Sequence, residues 1–344
     1  MTVRPVRVGI MGVNGYGGSE LLRLCAAHPA FRVVTAYGES TVGQTLAQRF
    51  PSLTGLPLGD IEISRFDPER LEGIDVLFAS LPTGQSREPL SKVSSQIKIV
   101  DVGGDHRFVD GWEFGLTELP GASERIAASS RVANPGCYSA ATILTLAPLV
   151  AEGLVETEGI VVDAKSGISG AGRGGGGGFG YADTNEDVVP YGLTRHAHVP
   201  EIKEALGRLT GTGSSRKPVT LAFTPHLVPT TRGLLATCYA RPARSVTTET
   251  LMDAARAFYR GKPFIRVLPH TNDLPGGGGP HTKWASGSNY EYLCYVVNPD
   301  TGLVVAMGAE DNLGKGAAGQ AIQNANLMTG QEETTGLLGM PLAP

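Results

Sequence analysis

Val6-Arg7-Val8-Gly9-Ile10-Met11-Gly12-Val13-Asn14-Gly15-Tyr16-Gly17-Gly18 decides the fold of this chain. The first half is a short apolar run that reads as a strand, and the second half is a G-x-x-G-x-x-G turn. Residues 19–28 then carry Leu21, Leu22, Leu24 and Cys25 at helical spacing. Strand, glycine turn and helix in that order bind dinucleotides. Glycine permits the tight turn and lets backbone N–H groups reach a pyrophosphate at the positive end of the helix. Gly12, Asn14, Gly15, Tyr16, Gly17 and Gly18 are therefore the candidate cofactor cradle, set against the plainer reading of a glycine-rich turn.

Working outward, Phe31–Tyr37 is β-branched and reads as the second strand, with further buried-strand candidates at 75–79 and 97–102. Short apolar strands alternating with helices imply parallel βαβ units. The end of the second strand should choose between NAD and NADP. Glu39 suits a ribose 2′-OH, whereas Ser40 and Thr41 suit a 2′-phosphate, so the local chemistry points both ways. Beyond residue 137 the pattern changes. A helix is expected at 139–150, then longer strands at 159–163, 218–223, 233–240, 290–297 and 303–307, and an Ala-rich helix at 314–328. The expected fold class is α/β: a Rossmann dinucleotide-binding domain formed by 1–136 with 312–344, and an α+β catalytic and oligomerisation domain, 137–311, with a mostly antiparallel sheet.

The chain has 344 residues, 41% of them hydrophobic, enough to bury the cores of two domains. A net charge of -4 with scattered basic residues argues against nucleic acid or an anionic membrane as partner. No apolar run has membrane-spanning length, and the N-terminus lacks the pattern of a signal peptide. Two glycine runs, 174–178 and 276–279, read as surface loops or, for the first, as a lid.

Four cysteines are present, with no metal or redox spacing, which suits a reducing compartment. Cys25 sits on a helix face, and Cys238 and Cys294 lie inside apolar strands, as small core residues do. Cys137 differs. In Asn134-Pro135-Gly136-Cys137-Tyr138-Ser139 it stands between an expected strand and an expected helix. There the helix macrodipole favours the thiolate, and the Pro-Gly turn presents the sulfur. A second constellation is Arg195-His196-Ala197-His198-Val199-Pro200-Glu201. Histidine is the natural acid or base near neutral pH, and cysteine with histidine fits nucleophilic acyl chemistry. Histidines two apart also suit a metal, but no other ligand cluster accompanies them, so none is expected.

At these residues the chain resembles the N-acetyl-gamma-glutamyl-phosphate reductases of the arginine pathway, which are related to aspartate-semialdehyde dehydrogenase. The resemblance runs from the 12–18 loop through Leu81-Pro82-Thr83-Gly84, 101–108, Gly115-Leu116-Thr117-Glu118-Leu119-Pro120, 134–138, 166–173, 196–202 and 223–237 to 311–320. It implies a cytoplasmic homodimer or homotetramer that uses NADP(H) on a small-molecule acyl phosphate. Cys137 stands at the family's nucleophile, and His198 looks like the acid/base, a role His196 can share. Arg107 and Asn134 look like substrate contacts. Pro82, Ser166, Gly167 and Asn312 look like cofactor-side contacts. The chain departs from the family where Thr83 replaces a frequent His and where Gly38-Glu39 replaces a frequent Ser-Arg. Three other readings stand beside this one. A reductase of carrier-bound aminoadipyl phosphate would share the motifs. Aspartate-semialdehyde dehydrogenase itself is opposed by the His198–Glu201 motif. A non-enzymatic nucleotide-binding regulator is opposed by Cys137 and the histidines.

Overall fold

Strand β1 (Val6–Met11) buries Val8, Ile10 and Met11 in the middle of a seven-stranded sheet, as a run apolar on both faces must. The computed structural model describes residues 4–173, 181–275 and 278–342, so the glycine run 174–178 and residues 276–277 lie outside the described residues. Around β1 are β2 (Phe31–Tyr37), β3 (Ile63–Ser64), β4 (Val76–Ala79), β5 (Lys98–Asp101), β6 (Glu113–Phe114) and β7 (Arg131–Ala133). Their order is 3-2-1-4-5-7-6 and every pairing is parallel. The four residues of β4 are all fully buried, which follows from covering a parallel sheet on both faces. Helices α1 (Tyr16–Ala27), α2 (Leu46–Arg49), α3 (Arg87–Ser91) and α4 (Ala122–Ala128) are the crossovers. The sheet changes its direction of growth between β1 and β4, where ligands of open α/β sheets bind. β3, β6 and β7 are too short to show a periodicity of their own.

The chain divides into two compact units: Met1–Pro135 with Ala317–Gly339, and Gly136–Gly316 with Met340–Pro344. The C-terminal helix, expected over 314–328, begins as a π-helical turn at Gly314–Ala318 and becomes α-helical at Gly319–Met328. Residues 312–316, expected with the first unit, group with the second. Asp311 accepts from Leu313 N–H at 2.8 Å and Gly314 N–H at 3.0 Å, and pairs with Arg232 at 2.9 Å. The last residues also group with the second unit, because Leu342 N–H donates to Ser286 O at 2.7 Å.

The second unit starts with α5 (Cys137–Ala151), buried continuously from Tyr138 to Val150. Burying each of its leucines is worth about 1.5–3 kcal/mol. Around it are β8 (Ile160–Gly167), α6 (Tyr181–Thr184), β9 (Val189–Pro190), α7 (His198–Leu209) and β10 (Leu221–Val228). They are followed by β11 (Leu234–Ala240), α8 (Thr248–Phe258), β12 (Ile265–Val267), α9 (Thr282–Ala285), β13 (Glu291–Val297) and β14 (Val304–Glu310). The strand order is 12-13-14-11-8-10-9. β8–β10 and β12–β13 are parallel and the other pairings antiparallel, so the sheet is mixed with an antiparallel majority.

β10 departs from the expected 218–223, because the strand runs through Pro225. The Pro225 carbonyl accepts from Tyr191 N–H at 3.1 Å, on the thinly paired β9 side. The missing N–H faces that same side and so costs no ladder bond to β8. Helix α7, over His198–Leu209, was not among the elements expected from the sequence. It forms because Ile202, Ala205 and Leu206 share a buried stripe while Lys203, Glu204 and Arg208 lie outside it. No helix among the described residues is long and apolar enough to cross a membrane.

Candidate active site

Cys137 is the first residue of α5, half-buried, with Gly136 as the N-cap. The other three cysteines are almost wholly buried, and burial pushes their thiols up. Gly136 has extended backbone (φ -75, ψ 153) that any residue adopts. Glycine is required there by proximity instead. A Cβ would meet the His198 imidazole, with Cδ2 and Cε1 each 2.6 Å away and Nε2 nearer still. The structure thus brings His198 against the turn that carries Cys137.

Glu201 fastens this arrangement. It is 3% exposed in the first turn of α7, and its Oε1 accepts from Gly136 N–H at 3.0 Å. One carboxylate therefore ties the start of α5 to the start of α7, where His198 begins the helix. Sequence reasoning quoted Glu201 in the histidine motif but gave it no role. An acidic residue in the first helical turn was the available signal.

Tyr138 is the hub of the aromatic cluster. Its ring lies 5.7 Å from His196, 6.1 Å from His198 and 5.5 Å from Phe223, and its hydroxyl donates to His226 O at 3.0 Å. Burial, with Tyr191 and Cys137 close by, raises the Tyr138 phenol far above its ordinary value, and burial with the Cys137 charge takes Tyr191 to about 12. Both tyrosines are therefore neutral donors at physiological pH. His196 Nδ1 accepts from His198 N–H at 3.2 Å, and burial lowers its imidazole below the ordinary value. His196 stays neutral and braces the turn. A groove of about 700 Å³ beside it is lined by Leu193, Arg195, Pro200, Leu221 and Phe223. Ala197 and Val199, on either side of His198, also line it. Among the described residues no group of three or more His, Cys, Asp or Glu is placed to hold a metal ion.

On the same unit Ser166 is buried and donates to Gly167 O at 3.2 Å. Asn312 is 2% exposed; its Oδ1 accepts from Gly233 N–H at 2.9 Å and its Nδ2 donates to Ser169 Oγ at 2.9 Å. Its amide thus pins the loop after β8 to the start of β11.

The first unit carries the nucleotide cradle. Gly12 (φ 80) has the left-handed backbone that glycine supplies without strain, and a Cβ there would strike the Ser80 carbonyl. A Cβ on Gly18 would lie 2.8 Å from Gly12 C and Val13 Cα, so the helix start packs onto the turn only as glycine. These constraints, with the N-terminus of α1 at Tyr16, fit a pyrophosphate. Side chains from other segments gather at the end of β2. Asn14 Nδ2 donates to Thr41 Oγ1 at 2.8 Å, and Arg49 Nε donates to Asn14 Oδ1 at 3.2 Å. The exposed Glu39 carboxylate pairs with Arg65 at 3.5 Å. A guanidinium beside Thr41 and an occupied Glu39 fit a 2′-phosphate. Arg49 escaped the sequence reading because it lies on α2, beyond the strand end where that choice is usually read. Ser40 is exposed, and Pro82 lies in an exposed loop held by Asp105. Burial opposes ionisation of Asp105, but hydrogen bonds from Gly84 and Ser86 outweigh it and hold the carboxyl below its usual range.

Arg107 is half-buried; its Nε donates to Asn134 O at 2.9 Å and one terminal nitrogen to Val102 O at 3.3 Å. The next residue, Phe108, takes a left-handed backbone (φ 55) and stacks on Phe114 at 4.4 Å, which fixes the direction of the loop. Asn134 is fully buried, its Oδ1 accepting from Asn324 Nδ2 at 3.0 Å. Its side chain therefore supports the turn from below, and its carbonyl braces Arg107.

A parallel nucleotide-binding unit, followed by a mixed-sheet unit that opens with a helix-start cysteine and a histidine packed on its turn, defines a cysteine-dependent dehydrogenase of the semialdehyde type. Residues 7–128 match the semialdehyde dehydrogenase NAD binding domain, and 137–312 match the semialdehyde dehydrogenase dimerisation domain. The chain belongs to the semialdehyde dehydrogenase family, in its N-acetyl-gamma-glutamyl-phosphate reductase branch. It is 54% identical to the reductase of that name from Bradyrhizobium sp. (strain ORS 278), over 98% of this chain and 99% of the relative. It is 42% identical to the one from Salinispora arenicola (strain CNS-205), over 98% and 99%. Among solved structures, aspartate semialdehyde dehydrogenase with NADP from Candida albicans superposes with a TM-score of 0.72 at 17% identity, covering 94% of this chain and 98% of that one. Aspartate semialdehyde dehydrogenase II from Vibrio cholerae gives 0.70 at 15%, covering 95% and 99%. At those identities the likeness is of fold.

Proposed function

We propose that this protein catalyses the NADPH-dependent reduction of N-acetyl-L-glutamyl 5-phosphate to N-acetyl-L-glutamate 5-semialdehyde, with release of phosphate, in arginine biosynthesis. The observation that carries the reading is Cys137 at the start of α5 with His198 packed on Gly136 and Glu201 clamping the turn. The glutamyl substrate rests on relatives of 40–54% identity that carry that name, and the carrier-linked aminoadipyl alternative has no such support.

The Cys137 thiolate attacks the acyl carbon, its C–S bond forms as the C–O bond to phosphate breaks, and a thioester results. NADPH, held by the Gly12–Gly18 turn, would supply the hydride that reduction of the thioester to the thiohemiacetal level requires. His198 gives a proton to the oxygen that gains charge and takes it back as the C–S bond breaks, releasing aldehyde and restoring the thiolate. Glu201 keeps thiol and imidazole in register. Arg107 holds an anionic group of the substrate, because a guanidinium is the directed donor that carboxylate or phosphate accepts. Asn134 steadies Arg107. Pro82, Ser166, Gly167 and Asn312 shape the cofactor side, Ser40, Thr41 and Arg49 receive the 2′-phosphate, and His196 braces His198.

The chain works in the cytoplasm as a homodimer or homotetramer. The dimerisation-domain match over 137–312 supports association. The test is phosphate-dependent NADP reduction with N-acetyl-glutamate semialdehyde, run beside aspartate and aminoadipate semialdehydes, with mass measured by light scattering. Greater kcat/KM for either competitor would overturn the substrate, and a monomer would overturn the assembly.

A further inference from the structure

In the first unit, α3 and the 106–112 loop flank a cavity of about 280 Å³. Its charged and titratable lining is wholly basic: Arg87, His106 and Arg131. Leu90, Val109 and Trp112 form its apolar side. None of these residues takes part in the steps above. His106 is 5% exposed and stacked on the Trp112 ring at 3.9 Å, and its Nδ1 meets the fully buried Asp101 carboxylate at 2.6 Å. That carboxylate keeps the ring hydrogen on Nδ1. Nε2 has no hydrogen-bond partner among the described residues and is not shut off from solvent. The two guanidiniums are held by carbonyls alone. Arg131 donates to Ile97 O at 2.6 Å, Val93 O at 3.1 Å and Ser94 O at 3.0 Å, and Arg87 donates to Asp105 O at 2.8 Å. Neither side chain pairs with a carboxylate among the described residues. The buried carboxylates of this region are already engaged, Asp101 by Ser86, Gly103 N–H and His106, and Asp105 by Ser86 and Gly84 N–H.

Carbonyl dipoles orient a guanidinium but leave its charge uncancelled, and a half-buried charge without a counter-ion is costly. Burial accordingly pushes Arg131 below its ordinary value. An oxyanion in the cavity removes that cost, since carboxylate and phosphate are what a guanidinium recognises. Three further features narrow the class. The volume lies below the usual range for drug-sized ligands, so the occupant has few atoms. Nε2 of the neutral ring is an acceptor and calls for a donor on the ligand. That donor is a hydroxyl, because an ammonium would be repelled by two guanidiniums. The Leu90, Val109 and Trp112 side calls for a short alkyl body, which bare phosphate lacks. We propose that this cavity is a binding site for a small hydroxy-carboxylate, with its carboxylate taken by the arginines, its hydroxyl donating to His106 Nε2 and its alkyl part against Trp112. The site is independent of Cys137 and of the reaction above.

The chain has two tryptophans, Trp112 and Trp284, so Trp284→Phe leaves Trp112 as the single reporter. In that full-length background, titration with 2-hydroxybutyrate should change the Trp112 emission saturably. Butyrate, which lacks the hydroxyl, and inorganic phosphate, which lacks the alkyl body, should each bind about 10-fold more weakly or worse. Arg87→Gln should weaken 2-hydroxybutyrate by about 10- to 100-fold, the worth of one charge-assisted hydrogen bond. Arg131→Gln should do the same, but it also removes the carbonyl contacts above. Arg87, whose side chain is exposed, is therefore the deciding variant, with its fold checked by circular dichroism. No saturable change in emission, or unaltered affinity in Arg87→Gln, overturns the proposal. Equal affinity for butyrate removes the hydroxyl from Nε2, equal affinity for phosphate removes the alkyl contact, and either result overturns the class proposed.

Discussion

Replacing Gly136 with alanine separates the position of the base from every other property of the site. The backbone at Gly136 (φ -75, ψ 153) accepts alanine without strain, and its N–H to Glu201 is retained. The added methyl meets His198 Cδ2 and Cε1 at 2.6 Å, whereas ordinary contact begins near 3.4 Å. Nε2 is nearer still, so the imidazole must retreat by about 1 Å, and a displacement of about 1 Å in a reacting group costs on the order of 10²-fold in rate. That corresponds to about 2.7 kcal/mol of barrier. The stability cost should be smaller, about 1 kcal/mol or less, the difference between a glycine and an alanine N-cap. Steady-state kinetics in the direction of NADP reduction, with denaturant melts of the same preparations, should give a collapsed kcat, a nearly unchanged KM for the cofactor and a folded protein. A Gly136→Ala enzyme with wild-type kcat would refute the reasoning, because it would show that His198 need not lie against the turn.

Cys137→Ser should abolish turnover while NADPH binding, followed by nucleotide fluorescence, survives. In wild type iodoacetamide should label Cys137 first, since Cys25, Cys238 and Cys294 are at most 1% exposed; loss of activity with one of those three labelled instead would remove Cys137 from the mechanism. Arg49→Ala should raise KM for NADPH by about 10- to 100-fold, the worth of one charge-assisted hydrogen bond, and leave NADH kinetics unchanged; equal losses with both cofactors would show that Arg49 does not read the 2′-phosphate. His198→Asn should lower kcat by about 10²–10⁴-fold, with a smaller loss for His196→Asn, and the reverse order would exchange their roles. Because burial lowers the His196 value, the unfolded chain takes up its proton first, so wild type should lose stability as pH falls below about 6.5. His196→Asn should lose less over that window in pH-dependent urea melts.

The amino-acid sequence by itself determined the strand–glycine–helix opening, because the 12–18 turn needs residues without side chains whatever surrounds it. It also determined the helix-start setting of Cys137, because Pro135 and Gly136 break the chain before an apolar run. It identified the two histidines as candidates, which one spacing and one motif leave chemically alike, and only the family resemblance put His198 first. Tertiary structure separated them by packing His198 on Gly136 and by leaving His196 to brace it. The same is true of the cofactor choice. Glu39 and Thr41 are local and contradictory, whereas Arg49 and Arg65, which lie against Asn14 and Glu39, come from other segments folded against them. β10 running through Pro225 and the clamp from Glu201 to Gly136 likewise depend on which edge or turn lies opposite. Local conformational preference is written in neighbouring residues. Charge compensation and close approach are set by residues far apart in the chain, and become visible only when the sheets bring them together.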